Sequence, residues 1–80
     1  MLMEEMILSP CDGVLVTFRI QENLTQKRCN TFFKIRLKDD TILEIKKTYQ
    51  GKISSVEVRE GEEVVKGMVL AYVEEYALEI

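Results

Sequence analysis

The sequence predicts an all-β domain, a flattened barrel or two-sheet sandwich of about eight short strands, on three observations. Glycines recur at turn spacing through the second half, short β-rich runs alternate with turn residues along the whole chain, and the chain superposes on itself at the spacing from Gly13 to Gly51. A repeat of strand-turn-strand units that occurs only twice cannot stack as a solenoid, which needs three or more. Two copies instead bury each other's apolar faces in a closed, pseudo-two-fold structure.

Taken in order, Met6 to Ser9 reads as a short strand. Pro10-Cys11-Asp12-Gly13 is turn chemistry, because proline presets φ and glycine accepts backbone that other residues avoid. After Gly13, Val14, Val16, Phe18 and Ile20 alternate with other residues as one face of a strand does. Residues 21–30 are polar and irregular. Thr31 to Leu37 and Thr41 to Lys46 are β-rich runs around Lys38-Asp39-Asp40, a hairpin signal because aspartate tolerates tight-turn backbone and bonds its own chain. Phe32 and Phe33, adjacent in a strand, point to opposite faces, which leaves one of them exposed unless a local bulge resolves it.

The second half carries the sharpest pattern, Gly51-x-Ile53-x-x-Val56-x-Val58-x-x-Gly61-x-x-Val64-x-x-Gly67-x-x-Leu70-x-x-Val73. It is too glycine-rich for a helix and alternates only from Val56 to Val58, so it reads as short strands joined by tight turns. Gly61 and Gly67 are the corners and Val64 the plug between them. Beyond it, Tyr72, Tyr76, Leu78 and Ile80 continue at even spacing. A last strand pairing with Met1 to Leu8 accounts for them. The sharper alternative is an edge at residues 74–80 open to a partner or to a second copy.

Sliding the chain by 38 places Gly13 on Gly51, Leu15 on Ile53, Phe18 on Val56, Ile20 on Val58, Asn23 on Gly61, Cys29 on Gly67, Phe32 on Leu70 and Ile35 on Val73, with Ile7 on Ile45. Asparagine enters left-handed backbone more readily than most residues, so Asn23 is expected to do the work of Gly61. Gln26 falls opposite Val64, which predicts a more polar or looser turn in the first half.

Composition narrows the function. The chain has 80 residues, 46% hydrophobic and 31% charged, which describes one small globular domain, 1–80. No apolar run approaches the roughly 18 residues of a membrane-spanning helix. The N-terminus MLMEEMIL has acids where a signal peptide has bases, so a cytoplasmic chain without membrane attachment is expected. A net charge of −3 argues against nucleic acid as partner. There is no histidine, and Cys11 and Cys29 are the only cysteines, so no zinc site and no Ser-His or Cys-His catalytic pair can be assembled, and no metal is expected. Both cysteines are expected to be reduced. Asp39-Asp40 reads as turn formers rather than a catalytic or cation-binding pair, and no catalytic residue is expected. Lys34, Arg36 and Lys38 read as a solvated stripe, with Lys46 and Lys47 close to a second turn.

Asp12-Gly13 with its strand, Glu60-Gly61-x-x-Val64-x-x-Gly67-x-x-Leu70 and the pseudo-repeat together resemble the biotinyl/lipoyl carrier domains, over about residues 6 to 75. The resemblance implies a barrel-sandwich hybrid with half-repeats 6–38 and 41–75 joined by a hairpin at 38–41. In that family a lysine at the hairpin tip carries biotin or lipoate as a swinging arm, which lets the protein supply placement while the cofactor supplies chemistry. The family's spacing, 11 residues before the glycine that opens the second repeat, falls on Asp40, and the tip reads Asp39-Asp40-Thr41. The resemblance therefore implies a non-enzymatic docking or assembly module with a protein partner and no cofactor. Its alternative is a true carrier with biotin or lipoate on Lys38, serving a carboxylase, a decarboxylase or a 2-oxo acid dehydrogenase complex.

Overall fold

The computed structural model describes residues 2–76. These form six strands and no helix: β1 (Leu2–Leu8), β2 (Gly13–Asn23), β3 (Arg28–Arg36), β4 (Ile42–Val56), β5 (Glu63–Val64) and β6 (Val69–Tyr76). All pair antiparallel, in the order β1-β6-β4-β3-β2-β5, as one sheet curled into a half-barrel. Since no described helix exists, none is long and apolar enough to cross a membrane.

Six strands stand where about eight were expected, and the main reason is β4. Lys47-Thr48-Tyr49-Gln50 contains no turn former, so the run from Thr41 and the run from Gly51 fuse into one strand of 15 residues. Its first part pairs with β3, Ile42 to Arg36 through Gln50 to Arg28, and its second with β6. A straight strand of that length spans about 50 Å. The molecule is correspondingly elongated, 46 Å long and 21 by 18 Å across.

β1 and β6 pair from Leu2 with Tyr76 to Leu8 with Val69, as the even spacing at both ends of the sequence predicts; Leu78 and Ile80 lie outside the described residues. The core gathers Ile7, Leu15, Phe33, Ile35, Val58, Val64, Leu70, Ala71 and Val73. On β3, buried Cys29, Thr31, Phe33 and Ile35 alternate with less buried neighbours, as in a strand with one solvated face. Bulges adjust the phase elsewhere. Val16 is the extra residue between the Leu15–Ile35 and Thr17–Lys34 pairs, so the expected set Val14, Val16, Phe18, Ile20 is broken. Leu15 is fully buried while Val16 is exposed, and Phe18 stacks on Phe33 with ring centroids 6.0 Å apart. A further skip, at Leu70, lets Leu70 and Ala71 both reach the core.

Two ladders carry one register. β2–β3 pairs Val14 with Arg36, Leu15 with Ile35, Thr17 with Lys34 and Phe18 with Phe33. β4–β6 pairs Lys52 with Glu74, Ile53 with Val73, Ser55 with Tyr72 and Val56 with Ala71, each residue 38 beyond its counterpart, bulge included. Exchanging the halves also maps β1–β6 onto β4–β3: Glu5–Val73 onto Leu43–Ile35, and Ile7–Ala71 onto Ile45–Phe33. The opening glycines serve one purpose in both. A Cβ on Gly13 would collide with the Arg36 carbonyl, and one on Gly51 with the Glu74 carbonyl.

Past these shared ladders the halves part. In the second, the chain leaves the sheet after Val56 and turns at Gly61 and Gly67, both at φ 87°, where a side chain would be strained. Val64 between them is buried. Backbone bonds fasten this segment to β2, from Leu15 N–H to Glu62 C=O (2.9 Å) and Gly61 N–H to Leu15 C=O (2.7 Å), and to the end of β1, from Gly67 N–H to Ser9 C=O (2.8 Å). The first half has the polar turn that its glutamine predicts, without the two glycine corners. Residues 19–23 stay paired with 28–32, closing in an exposed turn at 24–27. A glutamine at the plug position cannot be buried without partners, so nothing draws Gln26 inward and the hairpin simply continues. Asn23 is not the left-handed residue expected there. Lys27 is, at φ 51°, while the Asn23 side-chain oxygen accepts a bond from Gln26 N–H at 3.0 Å.

Val64→Ala and Gly51→Ala should each lower the free energy of urea unfolding by about 2 kcal/mol or more, through an unfilled cavity and a backbone collision respectively. Gln26→Ala, at the matching position, should change it by less than about 0.5 kcal/mol.

Candidate functional site

The hairpin between β3 and β4 is the candidate site, because it joins the two halves and presents charged side chains on a short turn. Asp40 N–H donates to Leu37 C=O at 3.0 Å, which makes Lys38 and Asp39 the two central residues of a β-turn. Leu37 N–H donates to Thr41 C=O at 2.8 Å and Asp40 lies at φ 66°, so a left-handed residue closes a three-residue loop after the turn. Aspartate is among the few non-glycine types that enter this region readily.

The tip is held by its own side chains. Asp39 Oδ1 accepts bonds from Thr41 N–H (3.1 Å) and Thr41 Oγ1–H (2.6 Å). Those bonds favour the ionised carboxylate, the threonine hydroxyl contributing most, and draw the Asp39 pKa below the usual aspartate value. Lys38, Asp39 and Asp40 are all exposed. Behind them an open cleft of about 400 Å³ runs to β2 and β5, with Val14, Leu37, Val64 and Val65 as its apolar lining and Arg36, Lys38, Asp40 and Glu63 at its rim. The Asp12 carboxylate accepts Lys66 N–H at 2.8 Å on the same side, tying the Pro10–Gly13 turn to the Gly67 turn.

The outward face of the β2-β3-β4 ribbon is basic. Lys34, Arg36 and Lys38 are exposed as expected of a solvated stripe, with Lys34 4.0 Å from Glu44. Phe32 lies half-buried on this face opposite buried Phe33, and no bulge hides it, since β3 keeps regular pairing through both residues. Cations cover it instead. The Arg19 guanidinium carbon lies 4.7 Å and Lys46 Nζ 5.6 Å from its ring centroid, one from each neighbouring strand.

The sequence located the tip residues Lys38, Asp39 and Asp40 and the corners Gly61 and Gly67. It missed the setting of Lys46 and Lys47, which stand mid-strand in β4 and not beside a turn. The signal available was the absence of any turn former between them and Gly51. Cys11 and Cys29 are both free thiols, and Cys29 is fully buried, which raises its pKa, with Glu22 adding to the effect. Among the described residues, no group of three or more His, Cys, Asp or Glu is arranged to hold a metal ion. Comparison of the chain with protein-family models, with curated proteins and with solved structures finds no match in any of the three.

Because the Asp39 pKa is depressed on folding, the bonds it accepts stabilise the turn above the ordinary aspartate range, and that stabilisation disappears as pH falls through the lowered value. A carboxyl NMR titration should give Asp39 a midpoint below the usual aspartate value, and Thr41→Ala should move it back toward that value.

Proposed function

We propose that the chain is a biotinyl/lipoyl-like domain of the barrel-sandwich hybrid fold, with pseudo-two-fold halves 6–38 and 41–75, acting in the cytoplasm as a non-enzymatic docking or assembly module for a protein partner. The common register of the β2–β3 and β4–β6 ladders, 38 residues apart, supports the pseudo-repeat. The glycine corners 61 and 67 around buried Val64 support the second-half motif. One observation carries the functional part. Position 40, where the family's spacing puts the carrier lysine, is an exposed aspartate on the hairpin between the halves, and a carboxylate cannot be acylated by a biotin or lipoate ligase.

A second reading has its own support. Lys38 is a central residue of the turn and exposed, so its amine stands at the apex although it lies two residues before the family's position. On this reading Lys38 carries biotin or lipoate, and the tip is a swinging-arm anchor.

Intact mass after co-expression with biotin and lipoate ligases separates the two. The docking reading expects the unmodified mass. A biotinyl or lipoyl increment mapped to Lys38 by peptide analysis sinks it. Asp40→Lys, in a folded protein, is expected to restore modification at position 40 by one of the ligases.

A further inference from the structure

We propose that the cleft behind the hairpin tip is the pocket for a tryptophan side chain of the docked partner protein, seated on an apolar floor with the Lys38 ammonium against its ring face. The inference rests on the docking reading and its pseudo-repeat, and names the chemistry by which the tip selects a partner. The cleft holds about 400 Å³, within the size range of pockets that bury a small ligand. Val14, Leu37 and Val64 floor it. Val65, 53% exposed, is an apolar wall left bare at its mouth.

The other half of the chain shows what such a place holds. There the Lys27 ammonium lies 5.4 Å from the Tyr76 ring centroid, a cation–π contact between the turn at 24–27 and the end of β6. Exchanging the halves at the spacing of the two ladders puts Val65 in the place of Lys27 and Lys38 in the place of Tyr76. The cation has moved to the strand end, and the turn offers an aliphatic group where the contact needs a ring. No aromatic residue lines the space between Val65 and Lys38, and that space is the cleft. A ring entering from a partner makes there, with Lys38, the contact that Tyr76 makes with Lys27 inside the chain. Tryptophan suits it best. Indole attracts a cation more strongly than the other aromatic rings, and its N–H needs an acceptor, which the carboxylates of Asp40 and Glu63 at the rim supply. Aromatic anchors in pockets of this kind are also where protein interfaces concentrate their affinity.

Other occupants fit less well. An anion would meet Arg36 and Lys38 but also Asp40 and Glu63, so the rim offers it no net attraction. A second copy of the chain has no ring to give. It contains no tryptophan, and its three phenylalanines and three tyrosines, all among the described residues, are each buried or partly buried. The ring therefore comes from a different protein.

The test is a titration of the full chain, followed by amide NMR, with N-acetyl-tryptophanamide and the pentapeptide Ser-Gly-Trp-Gly-Ser as probes. Both are expected to bind in the millimolar range and to shift Val14, Leu37, Lys38, Val64 and Val65. Lys38→Met should weaken binding about threefold, the size of an exposed cation–π contact, and Lys38→Arg should preserve it. K38Y/V65K, which copies the Lys27–Tyr76 pair into the cleft, should abolish it. Four results overturn the pocket: no shift at the cleft, equal binding of N-acetyl-leucinamide, undiminished binding by folded K38Y/V65K, or indifference to Lys38→Met. Binding of the amide with rejection of the pentapeptide overturns it too, because the cleft then takes a free small molecule, and so does tighter binding of lipoamide or biotinamide. Failure here with Lys38 unmodified removes the tryptophan pocket alone, whereas ligase modification of Lys38 removes the docking reading whatever the probes do.

Discussion

Everything in this molecule depends on β4 passing within contact distance of β6 at Gly51. The position is not demanded by an unusual φ, since 158° lies close to extended backbone; it is demanded by space, because a Cβ there would collide with the Glu74 carbonyl. That approach lets a single strand give its first nine residues to β3 and the remainder to β6. Without it the chain would form two ribbons, each with an uncovered apolar face. With it, Phe33 and Ile35 of one ribbon meet Leu70, Ala71 and Val73 of the other in a common core. A chain of 80 residues has little apolar surface to spare, so the join decides whether there is a core at all.

The same closure explains why two halves of common register end so differently. Gly13 repeats the Gly51 contact against Arg36, and a bulge succeeds each glycine at the same interval, so both halves begin under one geometric rule. A single side chain then decides the course of each half. Val64 offers an apolar group that is worth burying, and the chain bends twice at left-handed glycines to deliver it. Gln26 offers an amide that would need partners inside, so its segment stays an exposed hairpin. The segment that bends covers the core beside β2, and the one that does not lengthens the molecule.

Legibility in the sequence divides along the same line. Positions where backbone geometry forces residue type were legible: Gly61 and Gly67 as corners, Val64 as plug, Lys38-Asp39-Asp40 as the hairpin. Features that depend on what the backbone does between such positions were not. Alternation put Val16 inside, and a bulge put it out, because a bulge has no obligatory residue in antiparallel pairs without a left-handed position. Asn23 looked like a left-handed residue because its type permits that conformation, but permission is not requirement, and the turn placed the strain on Lys27. The sequence left one of Phe32 and Phe33 exposed unless a bulge intervened; cross-strand cations from two neighbours, invisible without the register, cover Phe32 where it stands.

The register also sets the hairpin tip at a fixed distance from Lys46, which the sequence treats as a separate matter. β4 starts at Ile42, two residues after Asp40, and Lys46 lies four residues further, about 13 Å along the strand. The bonds from Thr41 to Asp39 hold the turn in one shape, which fixes where its charged side chains stand, whether the turn presents an aspartate to be recognised or a lysine to be used.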